Sequence, residues 1–132
     1  FNEDQYFTTG KISDQWGKGF PVTINHELIQ LGEEKFNIHC SICHGLSGDG
    51  NGITKSYGMI ATPTYHSDRL RGMPEGEIFN TITNGRNTMG AYGVKLRIHE
   101  RWAVIAYIRT LQRSQNARPE DVPQDSRGIL GL

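Results

Sequence analysis

The residues best suited to chemistry lie between positions 39 and 45, which read HCSICHG. The chain has only two cysteines, Cys40 and Cys43, and His44 directly follows the second. On a helical turn, positions i, i+3 and i+4 share one face, so these three side chains can reach the same ligand. Because both thiols lie within one turn, the pattern indicates local chemistry and not a distributed disulfide framework.

Four kinds of site use two cysteines at this spacing. Covalent haem attachment needs two thiols for thioether bonds and an adjacent imidazole for the iron, and the C-x-x-C-H order matches it. A redox-active dithiol would follow a strand, whereas a helix is predicted before Cys40. A zinc site needs a second ligand pair, which the other histidines do not form recognisably, and a plain disulfide staple is the last alternative. The residues favour haem attachment and leave the other three open.

The composition predicts one domain with little apolar material for its core. Of 132 residues, 36% are hydrophobic and 16 are glycine, and a chain of this length is expected to form one core. A bound apolar cofactor would add buried area that the side chains do not supply. The sequence contains no apolar run of the roughly 18 residues that a membrane-spanning helix needs.

Charge divides the chain into an acidic first part and a basic second part. Residues 1–50 contain seven acidic and three basic residues, a net charge of −4, and residues 51–132 contain seven acidic and eleven basic residues, a net charge of +4. The total is zero, which gives no argument for nucleic acid as a partner. Between 86 and 113 the basic residues greatly outnumber the acidic ones. They are Arg86, Lys95, Arg97, Arg101, Arg109 and Arg113, against Glu100. We expect a basic field here, with an ordinary solvated face as the alternative.

Hydrophobic periodicity predicts a mostly helical domain without a convincing strand. A helix is expected from about Asn25, whose side chain can cap it, into the cysteine motif. A short helix is predicted over 74–84, and the pattern over 98–112 is the most strongly amphipathic in the chain. Gly32 in the first helix suits a close helix crossing, with simple tolerance of glycine as the alternative.

These elements divide the chain into three parts. Residues 1–24 are polar and glycine-rich without a sustained period, which predicts an extended N-terminal arm. Residues 25–113 form the predicted domain, and residues 114–132 are polar and broken by proline, as is typical of a tail. The chain begins at Phe1 without methionine or a leader, which we interpret as the mark of a processed product that has lost any membrane anchor it once had.

Several of these stretches together resemble the class I c-type cytochromes. GEEKFNIHCSICHG is similar to the first helix and haem-attachment motif of that family, and ERWAVIAYIRTLQ is similar to its last helix. The resemblance implies a cytochrome c fold, in which three to five helices surround one covalently bound haem c and the first and last helices cross. It implies that Cys40, Cys43 and His44 bind the haem, with His44 on the iron. A carbonyl near Pro63 would accept the proton on the far nitrogen of this imidazole.

The same resemblance indicates the second iron ligand. Small class I cytochromes place an axial methionine between two helices, on the haem face opposite the histidine, and Met89 lies in such a loop. Met59, in a glycine-rich loop, and Met73, directly before a predicted helix, are expected to pack instead. The family often has proline after the axial methionine, where this chain has Gly90.

Ligation by His44 and Met89 would leave the iron no open position, so the resemblance implies a one-electron carrier and not an enzyme. The alternative is a five-coordinate haem c protein that binds or senses a gas, which would follow if Met89 were not a ligand. A peroxidase of the cytochrome c type would need a second haem motif, and CSICH occurs once.

A narrower similarity involves PTYHSDRLRGMPEGEIFNTITNGRNTMGAYG and RWAVIAYIRTLQRSQ. These strings are similar to the monohaem cytochrome c subunit of bacterial alternative complex III. The similarity implies a membrane quinol-oxidising complex as electron donor and a haem-copper oxidase or another redox protein as acceptor. The family acquires its haem outside the cytoplasm, so we expect a periplasmic location or one on the outer face of the cytoplasmic membrane. Membrane association would come from an anchor before Phe1 or from partner subunits.

Overall fold

The fold is mostly α, as the sequence predicts. The computed structural model describes residues 3–45, 48–52, 64–86 and 89–115. In chain order the elements are α1 (Glu3–Thr9), β1 (Lys11–Ile12), β2 (Gln15–Trp16), α2 (His26–His39), α3 (Ser41–His44), α4 (Asp68–Arg71), α5 (Glu75–Asn84) and α6 (Ile98–Gln115). Within these residues, no helix combines the length and the apolar character needed to cross a membrane.

Helix α2 begins where its capping residue predicts. The side chain of Asn25 accepts a hydrogen bond of 2.8 Å from the backbone N–H of Leu28, which satisfies one of the amides that a helix leaves unpaired in its first turn. Glu27 lies in the same turn, where a carboxylate favours the positive end of the helix dipole. The predicted helix before the cysteine motif is therefore confirmed.

Helices α2 and α6 cross at Gly32. A Cβ atom built on Gly32 would lie 2.0 Å from the carbonyl oxygen of Ala103, far inside van der Waals contact. Ala103 is fully buried, and on either side of the crossing Leu28 and Ala106 are buried with it. The two helices thus touch backbone to backbone, which confirms the predicted close crossing. Glycine is therefore required at position 32 and is not merely tolerated there.

The hydrophobic core lies between α2, α5 and α6. Its largest side chains with less than 2% exposure are Trp102, Phe36, Phe79, Ile105, Ile108 and Val104. The rings of Phe79 and Trp102 stack with their centroids 4.6 Å apart. Most of this set comes from α6, so this helix forms the centre of the fold, as its periodicity indicates.

The prediction of an extended arm over residues 1–24 is wrong for the segment 3–16. It forms α1 and a β1–β2 hairpin, in which Ser13 has a φ of 56° at the turn. Tyr6 is only 3% exposed and meets Trp102 edge to face with 5.3 Å between ring centroids. The indole N–H of Trp102 donates to the carbonyl of Phe7 at 2.9 Å. A helix of seven residues is too short to show a period, and here tertiary contacts stabilise it.

Glu75 joins the N-terminal segment to α5 and α6. Its carboxylate accepts hydrogen bonds from the backbone N–H of Gly19 at 2.6 Å and from Nε of Arg109 at 2.8 Å. Burial alone would raise the pKa of Glu75, but the Gly19 bond and the Arg109 guanidinium outweigh it, so the pKa lies below its ordinary value. The ion pair also fixes α6 against the start of α5.

Helix α6 extends to Gln115, three residues beyond the predicted end. Residues 116–132, which make up most of the predicted tail, lie outside the described residues. The division at 24/25 and 113/114 into arm, domain and tail stays a prediction.

Candidate haem-binding site

The cysteine motif forms one continuous helical turn. Cys40 ends α2 by donating its N–H to the carbonyl of Phe36 at 2.8 Å, and the N–H of His44 donates to the carbonyl of Cys40 at 3.0 Å. Cys40 is 6% exposed and His44 is 8% exposed. The backbone of Cys43 lies in α3, while its side chain lies outside the described part. The motif therefore has the helical geometry that the spacing predicts.

The imidazole of His44 lies against an aromatic ring. It stacks on Tyr65 with 4.6 Å between centroids and 19° between planes, and Tyr65 in turn packs against Phe36 with 6.1 Å between centroids. The backbone N–H of Tyr65 donates to the carbonyl of Gly48 at 2.8 Å. Tyr65 thus orients the histidine, although no local sequence pattern singles this residue out.

Met89 lies in a tight loop after α5. Its N–H donates to the carbonyl of Arg86 at 2.9 Å, and its carbonyl accepts from the N–H of Arg86 at 3.1 Å. Gly85 before this loop has a φ of +79°, and a Cβ there would lie 2.7 Å from the carbonyl oxygen of Met89. Glycine is therefore required for the loop to turn back. The side chain of Met89 is half-buried and packs against the core.

The methionine loop is anchored to α5 and to the cysteine motif. The backbone N–H of Tyr92 donates to the carbonyl of Ile82 at 2.8 Å, and the N–H of Gly93 donates to that of Thr83 at 3.1 Å. The hydroxyl of Tyr92 donates to the carbonyl of His39 at 3.3 Å, one residue before Cys40. The structure therefore brings the Met89 loop beside the end of α2, through a tyrosine that the sequence analysis did not identify.

Of the other residues singled out in the sequence, Met73 lies within the described part of the structure. Met73 is half-buried and packs against the core, in agreement with its expected packing role. Met59 and Pro63 lie outside the described residues, so the proposed carbonyl partner of His44 near Pro63 stays a prediction.

Several basic side chains of the segment 86–113 are buried or lie beside a carboxylate. Arg101 is buried, Arg109 pairs with Glu75, and Arg86 lies 3.5 Å from a carboxylate oxygen of Glu77. Lys95 and Arg97 are exposed next to the Met89 loop. A positive surface near this loop therefore depends mainly on these two residues.

Two observations bear on the alternatives to haem attachment. In the described segments of the chain, no cluster of three or more histidine, cysteine, aspartate or glutamate side chains could hold a metal ion. A helix and not a strand precedes Cys40, which argues against a thioredoxin-like dithiol. Haem attachment is the chemistry that fits a buried cysteine and a buried histidine on one turn.

A family model decides between these alternatives. The family described as "Cytochrome C oxidase, cbb3-type, subunit III" matches residues 27–108. The chain belongs to this cytochrome c family. Its cofactor is haem c, bound covalently with its iron. The donor set fits this group, because Cys40 and Cys43 supply two thiols and His44 an imidazole within one turn.

Two solved structures are similar to this cytochrome c. A chain of the Kuenenia stuttgartiensis reducing HAO-like protein complex gives a TM-score of 0.60 and 22% identity, over 81% of this chain and 54% of that one. Cytochrome cL of the marine methylotroph Methylophaga aminisulfidivorans gives a TM-score of 0.58 and 22% identity, over 92% of this chain and 81% of that one. The chain thus spans about half, 54%, of the length of the Kuenenia stuttgartiensis chain. At this identity the similarity shows the fold alone. No curated protein sequence matches the chain significantly.

Proposed function

We propose that this cytochrome c carries single electrons with its iron ligated by His44 and Met89. The observation that most supports this is the bond from Tyr92 to the carbonyl of His39, because it holds the methionine loop beside the helix end that leads into the attachment motif. When bound, the haem supplies a one-electron redox couple, and methionine with histidine as axial ligands raises its potential.

Each residue of the site has a distinct role in this proposal. Cys40 and Cys43 would supply the thiols that hold the haem covalently, and His44 would supply an imidazole to its iron. Tyr65 restricts rotation of that imidazole by stacking on it. Phe36, which is fully buried, helps exclude water from the histidine side, and a dry site tunes the potential.

We also propose where the electrons come from and go to. The similarity to the monohaem subunit of alternative complex III supports a membrane quinol-oxidising complex as donor. The matched family takes its description from an oxidase subunit, which is in line with a haem-copper oxidase as acceptor. Covalent haem attachment supports a location in the periplasm or on the outer face of the cytoplasmic membrane.

Spectroscopy and potentiometry of the holoprotein test the ligation. We expect a c-type absorption band in the reduced protein that survives acid-acetone extraction, a weak far-red charge-transfer band in the oxidised protein, and a redox titration that fits one electron. If the far-red band is missing and the reduced protein binds carbon monoxide readily, the iron is five-coordinate and the gas-binding alternative is correct.

The exposed charges beside the Met89 loop predict a salt-dependent reaction with an acidic partner. Lys95 and Arg97 should attract an acidic oxidase domain, so the second-order electron-transfer rate should fall several-fold as ionic strength rises from about 0.01 to about 0.1 M and the Debye length falls from about 30 to about 10 Å. Stopped-flow mixing at a series of salt concentrations measures this.

A charge-matched pair of double variants locates the effect. Lys95→Gln with Arg97→Gln should weaken the salt dependence, while Lys11→Gln with Lys18→Gln removes two charges from the N-terminal segment and should leave it nearly unchanged. A flat profile for the unmodified protein, or equal effects of the two double variants, would show that partner docking does not depend on this surface.

A further inference from the structure

A buried arginine lies against the far end of the methionine loop. Arg101, in the first turns of α6, is only 8% exposed. Among the described residues its hydrogen-bond partners are all neutral oxygens and include no carboxylate. A buried guanidinium is costly unless its donors are satisfied, so these oxygens must account for its place in the fold.

The guanidinium binds two carbonyls near the C-terminal end of the loop that contains Met89. Nη2 of Arg101 donates to the carbonyl of Gly93 at 2.5 Å, and Nε donates to the carbonyl of Leu96 at 3.1 Å. Between these two residues the chain makes a turn in which the N–H of Leu96 donates to the carbonyl of Tyr92 at 3.0 Å. One side chain therefore fixes the turn that carries Tyr92.

The same guanidinium connects this turn to α5. Nη1 of Arg101 lies 3.3 Å from Oγ1 of Thr83, and the guanidinium carbon lies 5.6 Å from the centre of the Phe79 ring. The backbone carbonyl of Thr83 also accepts a hydrogen bond of 3.1 Å from the N–H of Gly93. Gly93 is thus held from both sides, by α5 through its N–H and by α6 through its carbonyl.

We propose that Arg101 is a positioning residue for the axial methionine. It restrains the loop from Met89 to Leu96 at its C-terminal end, while Gly85 and Arg86 define its N-terminal end. Loss of the guanidinium frees two carbonyls and the turn between them, and the thioether of Met89 then competes less well with added ligands for the iron. This inference rests on the proposed ligation by Met89.

Binding of imidazole to the oxidised holoprotein tests this role. Imidazole must displace the methionine, so its apparent affinity reports how firmly the loop holds that ligand. We expect Arg101→Leu to bind imidazole about tenfold more tightly than the unmodified protein, a factor near the low end for loss of a single hydrogen bond to a charged group. Amide hydrogen exchange at Gly93 and Leu96 should accelerate in the same variant. Arg101→Gln, which keeps a donor, should show smaller effects in both measurements.

A second arginine of α6 supplies the matched control. Arg109 also binds backbone carbonyls, those of Leu70, Arg71 and Met73, but none in the methionine loop. Arg109→Leu should lower the stability of the protein while leaving imidazole affinity unchanged within about twofold. If Arg109→Leu raises imidazole affinity as much as Arg101→Leu does, the effect is one of general stability and the proposal is wrong.

Further outcomes separate this inference from the proposed function. If the far-red methionine band is present in the unmodified protein but imidazole affinity does not change in Arg101→Leu, the role of Arg101 is refuted and ligation by Met89 stands. If the unmodified protein lacks that band, the ligation itself is wrong and the inference falls with it. If Arg101→Leu does not accumulate as a folded protein, imidazole binding is measured on Arg101→Gln instead. An imidazole affinity of Arg101→Gln equal to that of the unmodified protein would then overturn the proposal.

Discussion

Replacement of Met89 by alanine is expected to give a folded cytochrome with an open iron position. In the proposed site Cys40, Cys43 and His44 would still hold the haem. The loop bonds from Tyr92 and Gly93 involve backbone and hydroxyl groups that the substitution does not touch. The far-red band should disappear, and the reduced protein should bind carbon monoxide. The midpoint potential should fall by on the order of 0.1 V or more, within the roughly 0.8 V range that axial ligands span.

Met73→Leu is the matched control for this prediction. Met73 is likewise half-buried and packs against the same core, so its replacement perturbs packing without touching the Met89 loop. The spectrum and potential of Met73→Leu should remain close to those of the unmodified protein. An unchanged spectrum and potential in Met89→Ala would mean that another group binds the iron, and the proposed ligation would have to be abandoned.

Replacement of Gly32 by alanine is expected to destabilise the fold strongly, although it adds only one methyl group. The new Cβ would lie 2.0 Å from the carbonyl oxygen of Ala103, about 1.4 Å inside ordinary contact, and backbone cannot rotate away as a side chain can. Helices α2 and α6 must then move apart, which loosens the packing of Leu28 and Ala106 between them. We expect a loss of about 3 kcal/mol, the upper end of the usual range for overpacking.

Urea unfolding of the holoprotein measures this loss. Gly90→Ala is the control, because a Cβ at Gly90 meets no atom within 4 Å, and its free energy of unfolding should stay within about 0.5 kcal/mol of the unmodified value. Since a domain has only about 5–15 kcal/mol in total, Gly32→Ala should also lower the yield of holoprotein. A Gly32→Ala variant as stable as Gly90→Ala would show that the helix crossing can adjust.

The features that could be predicted from the sequence are those encoded within a few residues. Asn25 caps the helix whose first amides it can reach, and the spacing of Cys40 and His44 is itself a helical turn. The pattern of α6 is long enough to show a period. Gly32 was identified because a glycine inside a helix is costly unless a neighbour requires it.

The features that could not be predicted depend on residues far apart in the chain. Tyr65 reaches His44 across a glycine-rich segment, and Tyr92 reaches His39 from 53 positions away. A tyrosine in a loop has no local pattern that indicates its partner. The position of Met89 came from a family resemblance for the same reason, and the helix over 3–9 was missed because contacts with Trp102 stabilise it.

The contacts of the Trp102 indole limit how far this protein can be shortened at its N-terminus. One edge of this central tryptophan is covered by Tyr6 and its N–H is satisfied by the carbonyl of Phe7. Truncation at residue 25 would remove that cover, leave a buried donor without its acceptor and expose an aromatic surface prone to aggregation. Residues 3–24 are therefore an integral layer of the fold, and an affinity tag is better attached ahead of them than in their place.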